Sequence, residues 1–166
     1  MAKKLNSMRW LDSQGVQYEV MAFPDTVLSA VGVAEYFSVS PFQVYKTLVV
    51  MLPTNKPILV LIAGPSEIHL KRLAQALGEK RLRMATHKEA EMLTGLKVGG
   101  ISALALQQRH FPVYIDRLAA QYQTILVSAG QRGMNLRLAV TDLVRVTGAT
   151  FVDATAPETA AADTGT

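Results

Sequence analysis

Val44-Tyr45-Lys46-Thr47-Leu48-Val49-Val50-Met51-Leu52, then Pro53-Thr54-Asn55-Lys56-Pro57, then Ile58-Leu59-Val60-Leu61-Ile62-Ala63 is the stretch that decides the fold. Two apolar runs of strand length flank a turn rich in proline and asparagine, so residues 46–52 and 58–63 read as adjacent strands. The turn interrupts the apolar character, and neither half is long enough to span a bilayer. On the first strand Val44, Lys46, Leu48, Val50 and Leu52 share one face. A lysine on the same side as core residues either snorkels out at the strand end or lines a pocket, where it could hold a phosphate as a point charge.

Working outward, Ser40-Pro41-Phe42-Gln43 places a capping serine before a proline at the first helical position, which predicts a short helical turn just before Lys46. Upstream, helices over residues 6–13 and 28–37 flank an alternating strand at 16–20. Downstream, Ser66 is expected to cap a helix to Leu77 that Gly78 closes. A short strand at 81–84 precedes a capping box, Thr86-His87-Lys88-Glu89, whose helix ends near Gly95. Strands at 113–116, 124–128 and 135–138, a helix at 141–147 and a last strand at 150–152 complete the chain. Helices and strands mix without regular alternation, which favours an α+β domain with a mixed, largely antiparallel, curved sheet flanked by helices. Residues 1–153 form that domain, and 154–166, small and polar, read as a disordered tail.

Composition narrows the chemistry. Of 166 residues 49% are hydrophobic and 18% charged, enough apolar material for one core. The absence of cysteine removes disulfides, thiolate metal sites and a cysteine nucleophile. The basic start Met1-Ala2-Lys3-Lys4 is followed by Asn6, Ser7, Arg9 and Asp12, which interrupt any signal-peptide core, so a cytoplasmic protein is expected. Net charge is +4, with two acids in the expected tail and seven bases between Lys71 and Lys97. Such a surface attracts polyanions, or it is the solvated side of two helices.

No phosphate loop, dinucleotide fingerprint, zinc-protease helix or nucleophile elbow is present. His69, His87 and His110 are far apart, without metal-ligand spacing, and read as surface histidines. Two glycine features remain. Val98-Gly99-Gly100-Ile101-Ser102 lets a backbone approach a ligand and expose its amides. Val127-Ser128-Ala129-Gly130-Gln131-Arg132-Gly133 runs a strand into a glycine turn. Either alone could be an ordinary tight turn.

Together with Val44-Tyr45-Lys46-Thr47-Leu48-Val49-Val50, and in this order, these motifs closely resemble the YbaK/EbsC family. This is the bacterial Cys-tRNA(Pro) deacylase group, related to the editing domain inserted in prolyl-tRNA synthetases. The similarity runs from about Leu5 to Val152. It implies a mixed sheet curved toward a barrel, no metal or organic cofactor, and metal-independent hydrolysis of the ester that joins a small amino acid to the terminal adenosine of tRNA. The implied partners are tRNA, tRNA(Pro) foremost, and prolyl-tRNA synthetase, with neither membrane nor DNA.

Residue by residue, the resemblance puts the phosphate-holding lysine on Lys46. It puts the carbonyl-orienting, oxyanion-stabilising loop on Gly99 and Gly100, and substrate contacts on Phe23, Thr47, Ile101, Ser102, Ser128, Gly130 and Asn135. No side chain need act as a covalent nucleophile: water aided by the tRNA terminal hydroxyl, or the thiol of a cysteinyl substrate, attacks the ester. Three departures stand out. The family's Ile-Ser-Pro-Leu-Gly is Ile101-Ser102-Ala103-Leu104-Ala105 here, which changes the stiffness of the loop. An aspartate of the cysteine-editing members is Asn135, and a pocket tyrosine is Phe23. These changes bear on which amino acid is removed, cysteine first and then alanine or proline. They also leave open a non-catalytic module that binds tRNA or prolyl-tRNA synthetase, or a pocket for a nucleotide-like small molecule.

Overall fold

The computed structural model describes residues 4–156. In chain order the elements are α1 (Asn6–Ser13), β1 (Glu19–Ala22), α2 (Ala30–Phe37), a 3-10 turn (Pro41–Gln43), β2 (Tyr45–Met51), β3 (Pro57–Ala63), α3 (Leu70–Leu77), β4 (Arg83–Met84) and α4 (His87–Thr94). A 3-10 segment (Leu104–Arg109), β5 (Val113–Asp116), a second 3-10 segment (Arg117–Gln121), β6 (Thr124–Gln131), β7 (Met134–Ala139), α5 (Val140–Thr147) and β8 (Thr150–Val152) follow.

The two apolar runs pair as expected. β2 and β3 are antiparallel, with Lys46 opposite Ile62, and Asn55 turns the corner at a φ of 62°, a conformation asparagine tolerates better than most residues. β3 is apolar throughout because both its faces are covered. Leu59 and Leu61 join the main core with β6, β7, α1 and α5, while Ile58, Val60 and Ile62 pack under Leu73 of α3. Complete burial of Leu73 contributes about 2 kcal/mol. A third cluster seats Val33 and Ala34 of α2 against Val44, Met21 and Leu126.

The fold is mixed α+β, but the expected single sheet curving toward a barrel is instead two open sheets. One has five strands in the order β4-β2-β3-β5-β8, the other three in the order β1-β7-β6. Pairing is antiparallel except for β3 with β5 and β5 with β8. The sheets meet through one bridge, Val44 to Leu126. β2 has only one edge besides the edge paired with β3, and β4 takes that edge at Val50 and Met51. β6 is therefore left with contact at the start of β2, and no barrel closes.

Three boundaries move. The strand expected at 16–20 forms at Glu19–Ala22, where partners on β7 exist, while Val16 instead closes the end of α1 by donating its N–H to the Leu11 carbonyl. α3 begins after His69, whose Nδ1 accepts the Arg72 N–H at 3.1 Å, and not after Ser66. The segment between them is drawn into tertiary pairing: Ile68 bridges Thr155, and His69 donates to the Ala154 carbonyl. Third, order continues past Asp153. Ala154 and Thr155 are buried, and Asp116 accepts both the Ala154 N–H and the Thr155 hydroxyl. Residues 157–166 of the expected tail, and the basic start at 1–3, lie outside the described residues. Among the described residues no helix is long and apolar enough to cross a membrane.

Candidate active site

Where the two sheets meet, a cavity of about 450 Å³ opens between β2, the start of α2, the loop after α4 and the ends of β6 and β7. Lys46, Thr47, Phe23, Ile101, Ser128 and Asn135 border it, and so does Gly99. The sequence thus names seven residues that the fold brings to one cavity. Gly100, Ser102 and Gly130, though close in sequence to residues that border it, do not border it themselves.

Lys46 lies where the apolar face shared by Leu48 and Val50 runs out, and it resolves the choice between snorkelling and lining a pocket by doing both. Its half-buried ammonium donates to the Gly64 carbonyl at 3.0 Å, and Gly64 itself borders the cavity. Burial pushes the Lys46 pKa below its usual range, and the nearby Glu67 carboxylate opposes that shift. Gly64 is required for the arrangement: a β-carbon there would sit 2.8 Å from the Ala30 β-carbon at the start of α2. Sequence reasoning missed Gly64, although its place directly after a fully apolar strand, ahead of Pro65, marks a turn.

On the other sheet Ser128 and Asn135 are cross-strand partners, so they present side chains to the same face. Asn135 is only 6% exposed yet borders the cavity. Just beyond Ser128 the ladder slips into a bulge, and Gly130, at a φ of 114°, donates its N–H to the Ser128 hydroxyl. The bulge brings Gly130 against Ala105, where a β-carbon would lie 3.0 Å from that of Ala105. Ser102 is buried and its hydroxyl accepts the Ala105 N–H at 3.3 Å, in the first turn of the 3-10 segment Leu104–Arg109, an element absent from the sequence reading. Phe23 follows β1, donates its N–H to the Gly133 carbonyl and packs edge-on against Phe37.

The glycine loop is a turn. Gly100 donates its N–H to the Lys97 carbonyl at 2.8 Å, and Gly99 between them has a φ of 94°, the value for the third residue of a type II turn. The Gly100 amide is therefore already engaged. Among the described residues no backbone bond engages the N–H of Gly99 or Ile101. What fixes Gly100 is contact, since a β-carbon there would meet the Arg132 nitrogen and the Gln131 carbonyl carbon at 2.8 Å. At Gly100 the loop thus leans directly on the backbone of the β6–β7 turn.

The rim holds residues that sequence reasoning left out. Leu28 and Met84 are exposed apolar side chains bordering the cavity, and His87, the first residue of α4, borders it from solvent. The capping box on that helix is complete: Thr86 and Glu89 exchange side-chain bonds, and Glu89 also accepts from Arg83. These bonds hold the Glu89 carboxyl at about 2. Lys88, Lys97 and Arg132, all exposed, lie on α4, on the loop after it and on the β6–β7 turn, next to the residues that border the cavity. Among the described residues no group of three His, Asp or Glu side chains could hold a metal ion.

Comparison with known proteins points one way. The family model for the aminoacyl-tRNA editing domain matches residues 25–146. The chain is 35% identical over 158 residues to a protein of Enterococcus faecalis named "Putative Cys-tRNA(Pro)/Cys-tRNA(Cys) deacylase EbsC", covering 94% of this chain and 96% of that one. It is 32% identical over 75 residues to the proline–tRNA ligase of Aquifex aeolicus, covering 45% of this chain but 13% of the ligase. A solved structure described as a putative trans-editing enzyme for prolyl tRNA synthetase superimposes with a TM-score of 0.81 over 94% of this chain and all of that one. At 23% identity, that likeness speaks for the fold. The match of the family model over most of the chain, joined to end-to-end similarity with a full-length relative, makes this chain a member of the aminoacyl-tRNA editing domain family.

Proposed function

We propose that the chain is a trans-editing deacylase that removes a small mischarged amino acid from tRNA, with Cys-tRNA(Pro) the first substrate. One observation carries this reading: a single cavity has a half-buried ammonium at one side and a glycine turn with unengaged amides at the other. Lys46 would grip the phosphate of the tRNA terminus. The ester would lie toward the loop, where Gly99 and Ile101 can donate N–H groups to the carbonyl oxygen as it becomes an oxyanion. Gly100 contributes by letting the loop close on the β6–β7 turn. Phe23, Thr47, Ser128 and Asn135 surround the amino-acid side chain, while Ser102 and Gly130 shape the wall behind.

The reaction needs no side-chain nucleophile. Water adds to the ester carbonyl, the oxyanion collapses, and the carbon–oxygen bond to the terminal ribose breaks, with the water proton ending on the ribose oxygen. For a cysteinyl ester the substrate thiol can add instead: a sulfur–carbon bond forms, the same ester bond breaks, and the thiol proton passes to the ribose. In either case the rate comes from positioning and fixed dipoles. Prolyl-tRNA synthetase is the natural partner, because it supplies the mischarged tRNA.

The test is a panel of tRNA(Pro) charged with cysteine, alanine or proline, each incubated with the purified protein. Acceleration over spontaneous hydrolysis is expected, in the order Cys, Ala, Pro. No acceleration with any of the three would sink the reading, and salt-sensitive tRNA binding without hydrolysis would replace it with a binding module.

A further inference from the structure

The glycine turn is held by two charged side chains, one from each side. Glu91 of α4 accepts the Val98 N–H at 3.0 Å, and Arg132 of the β6–β7 turn donates its Nε–H to the Val98 carbonyl at 2.9 Å. In a trans peptide the C=O and N–H point in opposite directions in one plane. Arg132 therefore fixes the direction of the Gly99 N–H, which shares a plane with the Val98 carbonyl. Glu91 does the same for the preceding plane, whose Lys97 carbonyl accepts the Gly100 N–H.

Such a hold matters because the peptide between the two central residues of a turn can rotate by half a circle, which interconverts types I and II. Glycine at the third position allows both. Gly99 at a φ of 94° is in the type II form, with Arg132 packed on it: a β-carbon at Gly99 would lie 3.3 Å from Arg132 Nε and 3.6 Å from its Cγ. This chain also has Ala103 and Ala105 in the segment that follows, residues that impose little backbone restriction of their own.

We propose that Arg132 and Glu91 are positioning residues that lock the Val98–Gly99 peptide in one orientation and so aim the Gly99 N–H at the cavity. The proposal rests on the deacylase reading for its catalytic consequence, but the lock itself does not. Both side chains are exposed, so these bonds add little to global stability. Their effect should fall on the transition state, which is where a misaimed donor is felt.

Arg132→Ala is expected to lower kcat about 10- to 100-fold, with KM within about twofold and the thermal midpoint nearly unchanged. Arg132→Gln is the informative companion: its Nε2 stands at the same place along the side chain as the arginine Nε, so it keeps a donor without the charge. It should recover much of the lost kcat. Hydrogen exchange at Gly100, whose N–H is bonded to the Lys97 carbonyl, read by NMR, should speed up in Arg132→Ala and in Glu91→Ala but not in Arg132→Gln. An Arg132→Ala enzyme with raised KM, unchanged kcat and no rescue by glutamine would overturn the proposal and make Arg132 a phosphate contact. Unchanged exchange in both alanine variants would overturn it too. If the wild-type protein hydrolyses no charged tRNA, the deacylase reading fails while the exchange measurement still decides the lock.

Discussion

The two walls of the cavity are built on different principles. The strand wall presents side chains, Lys46 and Thr47 from β2 and Ser128 and Asn135 from β6 and β7, and each is placed by a ladder of backbone bonds. The loop wall presents backbone, and it is placed by a turn, a close approach at Gly100 and two side-chain bonds to Val98. A ladder tolerates change in the side chain it displays, because the backbone is held independently of it. A backbone wall has no such separation: whatever moves the loop moves the donors. Substitutions on the strand wall should therefore alter binding or specificity and leave stability alone, while those in the loop's own backbone, at its glycines, should alter both stability and rate.

The largest effect should come from the strand wall. Lys46→Ala removes a partly buried charge that donates to a carbonyl, so kcat/KM should drop about 100-fold or more, on the scale of ~3 kcal/mol for a desolvated charge contact. Single-turnover deacylation measures this, with the circular-dichroism spectrum unchanged. A variant that kept its activity would separate Lys46 from the site altogether.

Gly100→Ala breaks the comparison from the other side. The added carbon would meet backbone atoms at 2.8 Å, which cannot swing aside as a side-chain tip can. A loss of about 2 kcal/mol in denaturant unfolding is expected, from overpacking, together with roughly tenfold in kcat. Full stability and full rate in this variant would show that close approach does not hold the loop.

The smallest effect tests the helix that carries the loop wall. Glu89 sits at about 2, below its ordinary 4.5, held there first by Arg83 and then by the Thr86 backbone. A depressed carboxylate stabilises the fold above its unfolded value and loses that contribution as pH falls toward its folded value. Glu89→Gln should lower the thermal midpoint by no more than a few degrees at pH 7, and the difference should shrink as pH falls from about 4.5 toward 2. A difference that grew in acid would contradict the assigned cause.

How much of this was readable beforehand follows the same division. Of the strand wall, periodicity reports Lys46, conspicuous on an apolar face, whereas Thr47, Ser128 and Asn135 are marked only by the family resemblance. The Ser40-Pro41 turn and, on α4, the Thr86 capping box are local signals with local causes. The loop wall was legible only as a pair of glycines. Its anchors, Glu91 and Arg132, lie 7 and 34 residues from Val98 and look like ordinary surface charges in sequence. Ser66 failed as a cap for the same reason, since a distant segment at Ala154 and Thr155 claims the backbone before α3. The barrel failed because β4, two residues long, occupies an edge that the apolar pattern leaves open.

The bond from Lys46 to the Gly64 carbonyl has a kinetic side. A free lysine side chain loses about 2 kcal/mol of rotamer freedom when it is immobilised on a ligand. Here the chain is already docked before any RNA arrives, so that entropic loss falls on folding and not on capture of the substrate. Among the described residues one of the three ammonium hydrogens is committed, leaving two for an incoming oxygen anion. In the proposed role of Lys46 the site would meet its substrate as a set hook and not as a searching arm, and release would be governed by how fast the anion leaves that hook.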